Sequence, residues 1–285
     1  MFDVCVVGSA NLDLVATTPR LPSPGETVSG TAYAEHAGGK GLNQAVAAAR
    51  AGASCAFIAA VGDDEAGTRL SAILVGDGID ASGVQTVEGV PTGRAVITVD
   101  ASAENTIVVI PGANALMARS PVPLARVVLA QLEIPIDVVI DAFTQARAAG
   151  AVTVLNPAPA ADVPDELLAL CTVVIPNEHE REQLGGGKRL FALGVERVIT
   201  TLGAAGVDVA TAAGSHPVDA FAVEPVDTTG AGDAFCGSFA TALAAGAAPS
   251  AAIRFAAAAG ALATTGRGAV PSLPRRAAID ALLCP

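Results

Sequence analysis

The sequence predicts an α/β protein: a three-layer sandwich around a mostly parallel central sheet, with a small β-sheet lid. Three observations lead there. Short apolar, β-branched runs recur at residues 4–7, 56–61, 95–99, 106–110, 152–155, 172–175 and 197–201; several lack alternation, as strands covered on both faces require. Between many of them lie Ala-rich helical stretches, at 41–51, 67–77, 136–149 and 233–245. Strand then helix, repeated, indicates a parallel sheet with helices on both sides. Two stretches break this rhythm: 14–33, with Pro19, Pro22, Pro24 and Gly25, and 91–111, which reads as a hairpin turning near 101–104. These supply lid strands, from about 14–34 and 91–111, to a single domain over 1–285.

Composition narrows the function. The 285 residues are 52% hydrophobic and 15% charged, enough to bury roughly 75% of the unfolded surface. Sixteen Lys and Arg against 28 Asp and Glu leave a net charge of −12 and no basic run to neutralise a nucleic-acid backbone, so nucleic acid is not an expected partner. A nucleotide is not excluded, because backbone N–H groups and helix N-termini hold phosphate without basic side chains. The five cysteines are odd in number and widely spaced, the pattern of a reduced, cytoplasmic protein. His36, His179 and His216 lie far apart, without the spacing of a zinc site. The start of the chain lacks a basic region and a small-residue cleavage site, so no secretion signal is expected. Residues 234–253 are uncharged but broken by Gly246 and Pro249; a buried helix and turn, not a membrane span, is the reading.

Four motifs can carry chemistry. Gly230-Ala231-Gly232-Asp233 follows a β-like run at 221–226 and opens an Ala-rich helix, gathering unpaired N–H groups and the helix dipole at one point, an anion hole for phosphoryl oxygens. Asp233 there can accept a proton from an attacking hydroxyl or simply cap the helix. Gly38-Gly39-Lys40-Gly41 precedes a helix with Asn43 and Gln44; neither this loop nor Gly185-Gly186-Gly187-Lys188 follows its Lys with Ser or Thr, so neither is a Walker A loop. Asn11 and Asp13 leave the end of the first strand on alternate residues and suit vicinal hydroxyls, or form a polar turn. Asn177 and Glu180, after the strand at 172–175, share a helix face as ligands of a hydrated Mg²⁺ would and can also form a capping box, two compatible readings. The first strand runs into Gly8-Ser9-Ala10-Asn11, not the glycine pattern of a Rossmann dehydrogenase.

Together the motifs resemble the ribokinase-like (phosphofructokinase-B) family of carbohydrate kinases over the whole chain. Its amino-terminal signature is similar to Ala37-Gly38-Gly39-Lys40-Gly41 with Asn43, and its carboxyl-terminal one to Asp227-Thr228-Thr229-Gly230-Ala231-Gly232-Asp233-Ala234-Phe235. Pro24-Gly25-Glu26-Thr27, Gly62-Asp63-Asp64, Leu155-Asn156-Pro157-Ala158-Pro159-Ala160 and Pro176-Asn177-Glu178 narrow the resemblance to members that phosphorylate D-ribose at the 5-hydroxyl with ATP.

The resemblance implies that Asn11, Asp13, Gly39, Lys40, Asn43 and Glu133 bind the sugar and that Asp233 is the base, beside the anion hole of Gly230, Ala231 and Gly232. It places Asn177, Thr201, Gly203, Gly206 and Gly232 around the nucleotide and Glu180 near Mg²⁺. It assigns Asp227, Thr229, Ala263, Gly268 and Ser272 to K⁺, and implies a homodimer through the lid sheets. Two departures stand out. Ala256-Ala257-Ala258 occupies the place where the family often sets a histidine against adenine, and the chain is shorter than the pattern at 114–131 and 183–193. A substrate other than ribose, and a sugar-binding regulator with the same fold, are the alternatives.

Overall fold

The computed structural model describes residues 1–102 and 104–284. Its elements begin β1 (Phe2–Val7), β2 (Asn11–Thr17), β3 (Ala32–Gly38), α1 (Lys40–Arg50), β4 (Cys55–Gly62), α2 (Glu65–Gly76) and β5 (Asp80–Val87). They continue with β6 (Gly93–Val99), β7 (Asn105–Ile110), β8 (Ala125–Ala130), α3 (Ile136–Ala148), β9 (Val152–Leu155), α4 (Asp165–Ala169) and β10 (Val173–Val174). Next come α5 (Glu178–Gln183), α6 (Gly186–Ala192), β11 (Arg197–Thr201), β12 (Val207–Thr211) and β13 (Gly214–Val218). Helices α7 (Ala231–Ala244), α8 (Pro249–Ala263), α9 (Ala269–Ser272) and α10 (Arg276–Leu283) complete the chain.

Among the described residues nine strands form the central sheet, in the order β13-β12-β11-β10-β9-β8-β1-β4-β5, and four form a second sheet, β3-β2-β6-β7. From β5 to β11 every pairing is parallel, and β12 and β13 add an antiparallel hairpin at one edge. The unalternating apolar runs are explained by cover on both faces: Val4 and Val6 enter one core cluster, while Cys5 and Val7 enter the other. Helices α1, α2, α7 and α8 supply the first cluster, and α3 and α4 the second.

Several sequence expectations are corrected. The β-like run at 221–226 is not a strand; it is irregular chain, because its residues join neither sheet and instead lead toward α7. The strand expected over 172–175 is reduced to Val173–Val174. Asn11 and Asp13 do not leave the end of β1 but belong to β2 of the second sheet, since Gly8-Ser9-Ala10 carries the chain straight from one sheet to the other. The turn expected at 101–104 includes Ala103, which lies outside the described residues. At 234–253 the chain forms α7, turns, and restarts at Pro249 as α8. Among the described residues no helix is long and apolar enough to cross a membrane. In the two short regions, 117–124 holds no helix and α6 has seven residues.

The contact that positions the site is α1 against α7. A Cβ added at Gly237 would stand 2.5 Å from the Gln44 carbonyl oxygen and 2.7 Å from the Ala47 Cβ, so the helices approach as closely as backbones can. Thr241 Oγ1 bonds the Ala48 carbonyl at 3.2 Å across the same seam. We predict that Gly237→Ala, by pushing the helices apart, costs about 2 kcal/mol and lowers the melting temperature by several degrees. Gly76→Ala, where an added Cβ meets no atom within 4 Å, should leave it unchanged or slightly raised. Thermal unfolding of both variants checks this.

Candidate active site

The first turns of α1 and α7 meet around Asp233, which is 8% exposed. Its two oxygens accept one hydrogen bond each, from Asn43 Nδ2 and from Gln44 Nε2, both at 2.9 Å. Gln44 Nε2 also donates to Asn156 Oδ1 at 3.0 Å, and Asn156 Nδ2 donates to the Ile175 carbonyl at 2.9 Å. With its amide nitrogen committed to Asp233, Asn43 presents Oδ1 buried and without a partner. A buried acceptor left unpaired costs about 1–3 kcal/mol.

Asp233 is not the helix cap. Gly230 is, at φ +79°, with no side-chain cap bond. A side chain there would be strained and would press on Ala269, whose Cα lies 3.1 Å from a built Cβ. The amides of Gly232 and Asp233 make no bond to any described group, whereas that of Ala231 bonds the Thr228 carbonyl at 3.2 Å. Free N–H groups therefore gather at the positive end of a fourteen-residue helix, where an anion would be stabilised.

The second sheet brings the remaining polar groups over this point. Asn11 and Asp13 lie two apart on β2 and share a face. Asn11 Oδ1 accepts from Asn114 Nδ2 at 2.8 Å, which leaves the Asn11 N–H donors for a ligand. Gly38 is glycine because a Cβ there would fall 2.1 Å from the Asp13 carboxylate. Gly39, at φ +87°, starts α1 against Ala10 and Asn11. Glu133 Oε2 accepts from Ser9 Oγ and, at 3.0 Å, from the Lys40 amide, so it grips the start of α1.

Two cavities adjoin. A smaller one of about 240 Å³ is lined by Lys40, Asn156, Asn177, Glu180, Asp233 and Cys236. A larger, apolar one of about 540 Å³ has walls that include Gly203, Gly206, Phe221, Phe235 and Ala257. Thr201, Thr228 and Gly232 line both. The larger cavity suits a nucleoside and the smaller one the phosphates and a hydroxyl beside Asp233, the adjoining arrangement a phosphoryl transfer requires.

A model of the pfkB family carbohydrate kinases matches residues 1–276. The chain belongs to that family. A ribokinase of Haemophilus influenzae is 41% identical over 95% of this chain and 95% of its own. One of Bacillus subtilis is 38% identical over 99% and 100%. The structure of Arabidopsis thaliana ribokinase complexed with ribose and ATP superposes with a TM-score of 0.89 at 32% identity, covering 99% of this chain and 98% of that one.

In this pfkB kinase Asn177 and Glu180 meet as a capping box: Asn177 precedes α5, its Oδ1 accepts from the Glu180 amide at 2.8 Å, and its own N–H donates to Glu180 Oε2 at 2.9 Å. Asn177 Nδ2 takes the other Glu180 oxygen at 3.0 Å. Asp227 accepts from the Thr229 amide and hydroxyl and from the Gly268 amide, at 2.7–2.9 Å, while its own amide and that of Val226 bond the Thr264 carbonyl next to Ala263. Ser272 packs against Gly266 and bonds the Ala269 carbonyl. The five residues assigned to K⁺ therefore lie on chain segments that tie to one another.

Sequence reasoning passed over Gln44, Gln131, Asn156, Asn114 and Ser9 as site residues. Gln44 adjoins Asn43 on α1, and Asn156 stands at the end of β9 in a run already singled out, so position was the available signal. The wall at 220–225 carries no polar pattern and left no signal at all.

Burial raises the pKa of Asp233, and Glu133 adds to that, while Lys40 and the amides of Gln44 and Asn43 oppose it. Lys40 is depressed by burial, but Asp233, Glu133 and Glu180 outweigh this and raise it. Burial also raises Glu180. Asp13 is pushed up to about 7, by burial first and then by Glu133 and Asp233. A carboxyl whose pKa rises on folding binds its proton more tightly when folded, so its contribution to stability is lost as pH climbs from the unfolded value through about 7. Asp13→Asn cannot ionise. It is expected to melt above the parent at about pH 8, with the gap closing toward pH 4, while sugar affinity falls. Melting curves across that range and sugar titration check both.

Proposed function

We propose that this kinase transfers the γ-phosphoryl group of ATP to the 5-hydroxyl of D-ribose, giving D-ribose 5-phosphate and ADP. The observation that carries this reading is Asp233: a buried carboxylate held by two amide donors, beside free helix N–H groups, where a nucleotide-sized cavity opens onto a polar one. Asp233 takes the proton of O5 as that oxygen bonds to the γ-phosphorus and the bond to the β,γ-bridging oxygen breaks. The amides of Gly232 and Asp233 and the ammonium of Lys40 face the charge that develops on the phosphoryl oxygens. Asn11 donates, and Asp13, Asn43 Oδ1 and Glu133 accept, a mixed set that matches the hydroxyls of a free pentose. The full-length likeness to ribokinases supports ribose among the family's sugars.

Asn177, Thr201, Gly203 and Gly206 are assigned to the nucleotide, with Ala257 as part of its apolar wall. Glu180 fits a hydrated Mg²⁺, since both its oxygens already accept bonds from Asn177 and keep lone pairs for the ion's water shell. Asp227, Thr229, Ala263, Gly268 and Ser272 fit a K⁺ ion through the carbonyls of the tied segments. Bound there, Mg²⁺ would neutralise phosphate charge and K⁺ would steady the anion-hole backbone.

We further assign a homodimer through the second sheet. Edge strand β7 is exposed along its length, with Ile107 and Val108 54% and 61% exposed and Val96 of β6 42% exposed, an apolar surface and open edge of the kind that proteins cover. Four of the five cysteines are buried and all are free, consistent with a cytoplasmic protein.

Asp233→Asn should lower kcat by roughly 10³-fold and keep ribose affinity within a few fold. ADP release over a panel of ribose, 2-deoxyribose and nucleosides, with calorimetric binding, tests this; a near-normal rate in the variant, or turnover of another sugar but not ribose, would overturn it. Light scattering at micromolar concentration should give twice the chain mass, and a charged residue in place of Val108 should halve it.

A further inference from the structure

Two buried amides lie behind the base. Gln44 and Gln131 are both 0% exposed, and Gln131 Nε2 donates to Gln44 Oε1 at 2.6 Å. Gln131 follows the end of β8, two residues before Glu133, so one strand end holds α1 twice: Glu133 through the Lys40 amide and Gln131 through the Gln44 side chain. We propose that Gln131 is a positioning residue for the base: by donating to Gln44 Oε1 it fixes which end of the Gln44 amide meets Asp233. The proposal rests on Asp233 being the base, which Asp233→Asn tests separately.

The polarity of the chain of amides admits one arrangement. Asn156 spends its Nδ2 on the Ile175 carbonyl, so its Oδ1 accepts; Gln44 must then turn Nε2 toward Asn156 and Asp233, leaving Oε1 to face Gln131. Only a donor is acceptable there. Gln131 supplies it and in doing so leaves its own Oε1 buried with no partner, lying against Gly8, where an added Cβ would come within 2.1 Å of it. An orphaned acceptor is unfavourable, and the arrangement persists with that acceptor turned away from Gln44. Without Gln131, Gln44 Oε1 is buried with no donor, and the amide finds one only by giving up its bond to Asn156 Oδ1 and turning that oxygen to accept from a protonated Asp233, which favours the inactive acid. The other groups facing Asp233 are Lys40 of α1, Glu133 after β8, Asp13 of β2 and Cys236 of α7; Lys40 alone among them is cationic, so the lost donor is not replaced.

The test is the pH profile of kcat. Gln131→Met, similar in size and unable to donate, should move the acid limb to higher pH, cutting kcat at about pH 6 on the order of tenfold and progressively less above pH 8, with KM for ribose changed less than about twofold. Gln44→Met should move the limb at least as far, and the double variant no farther than Gln44→Met alone. An unmoved limb in Gln131→Met, an equal loss at every pH, or shifts that add in the double variant would each overturn the proposal. Gln131→Leu repeats the measurement should the Met variant fold poorly, and an unmoved limb in Gln44→Met overturns the relay whatever the Gln131 variants do.

Discussion

The active centre depends on burying one carboxylate at the crossing of two helices. Asp233 can sit there only because α1 and α7 touch backbone to backbone at Gly237, and only because α1 answers its charge with Lys40, Asn43 and Gln44 within its first five residues. Burial alone would favour the neutral acid, which cannot take a proton. The amides and the ammonium counter this while keeping water away, so the same contact that completes the core also conditions the carboxylate. The remaining parts of the site hang from this crossing: α7 brings the anion hole, and α1 brings the grip of Glu133 and, through Gly39, the approach of β2.

The second sheet is fastened to the core by a few polar ties at its root. Asp64 caps α2 and also accepts from the Thr92 amide at 3.1 Å and from Arg94 at 3.2 Å, at the start of β6. Asn114 bonds the Ala10 amide and carbonyl and Asn11 Oδ1. Gly93 leaves room for both Asn11 and Asn114, either of which a Cβ would strike within 2.2 Å. Asn11 and Asp13, the residues proposed for the sugar, thus lie on the strand that these ties hold.

Much of this was legible in the sequence where chemistry forces unusual residues together. Gly230-Ala231-Gly232-Asp233 announces a helix start with a carboxylate in its first turn, and the unalternating strands announce a sheet covered twice. What could not be read has physical causes. Strands β5, β12 and β13 carry exposed or polar positions, or lie at an edge where cover is lost, so their pattern is weak, whereas the short apolar run of β8 is buried like those that were read. The run at 221–226 has strand-like residues but no partner strand, and pairing, not propensity, makes a strand. Asn177 and Glu180 satisfy two compatible local patterns at once, of which the backbone of Asn177 shows the cap. Gln131 is silent in sequence because a buried glutamine is defined by what lies across from it.

The wall that the two cavities share has a consequence for recognition. Thr201, Thr228 and Gly232 border both, and Gly232 adds no side chain between them. A single molecule with a nucleoside at one end and a phosphate group at the other, joined by a chain long enough to pass that glycine, would seat its second end at the effective concentration set by the tether, not by the solution. The affinity of such a compound should rise far beyond that of either half, and it should fall back steeply once the tether is too short to clear the wall.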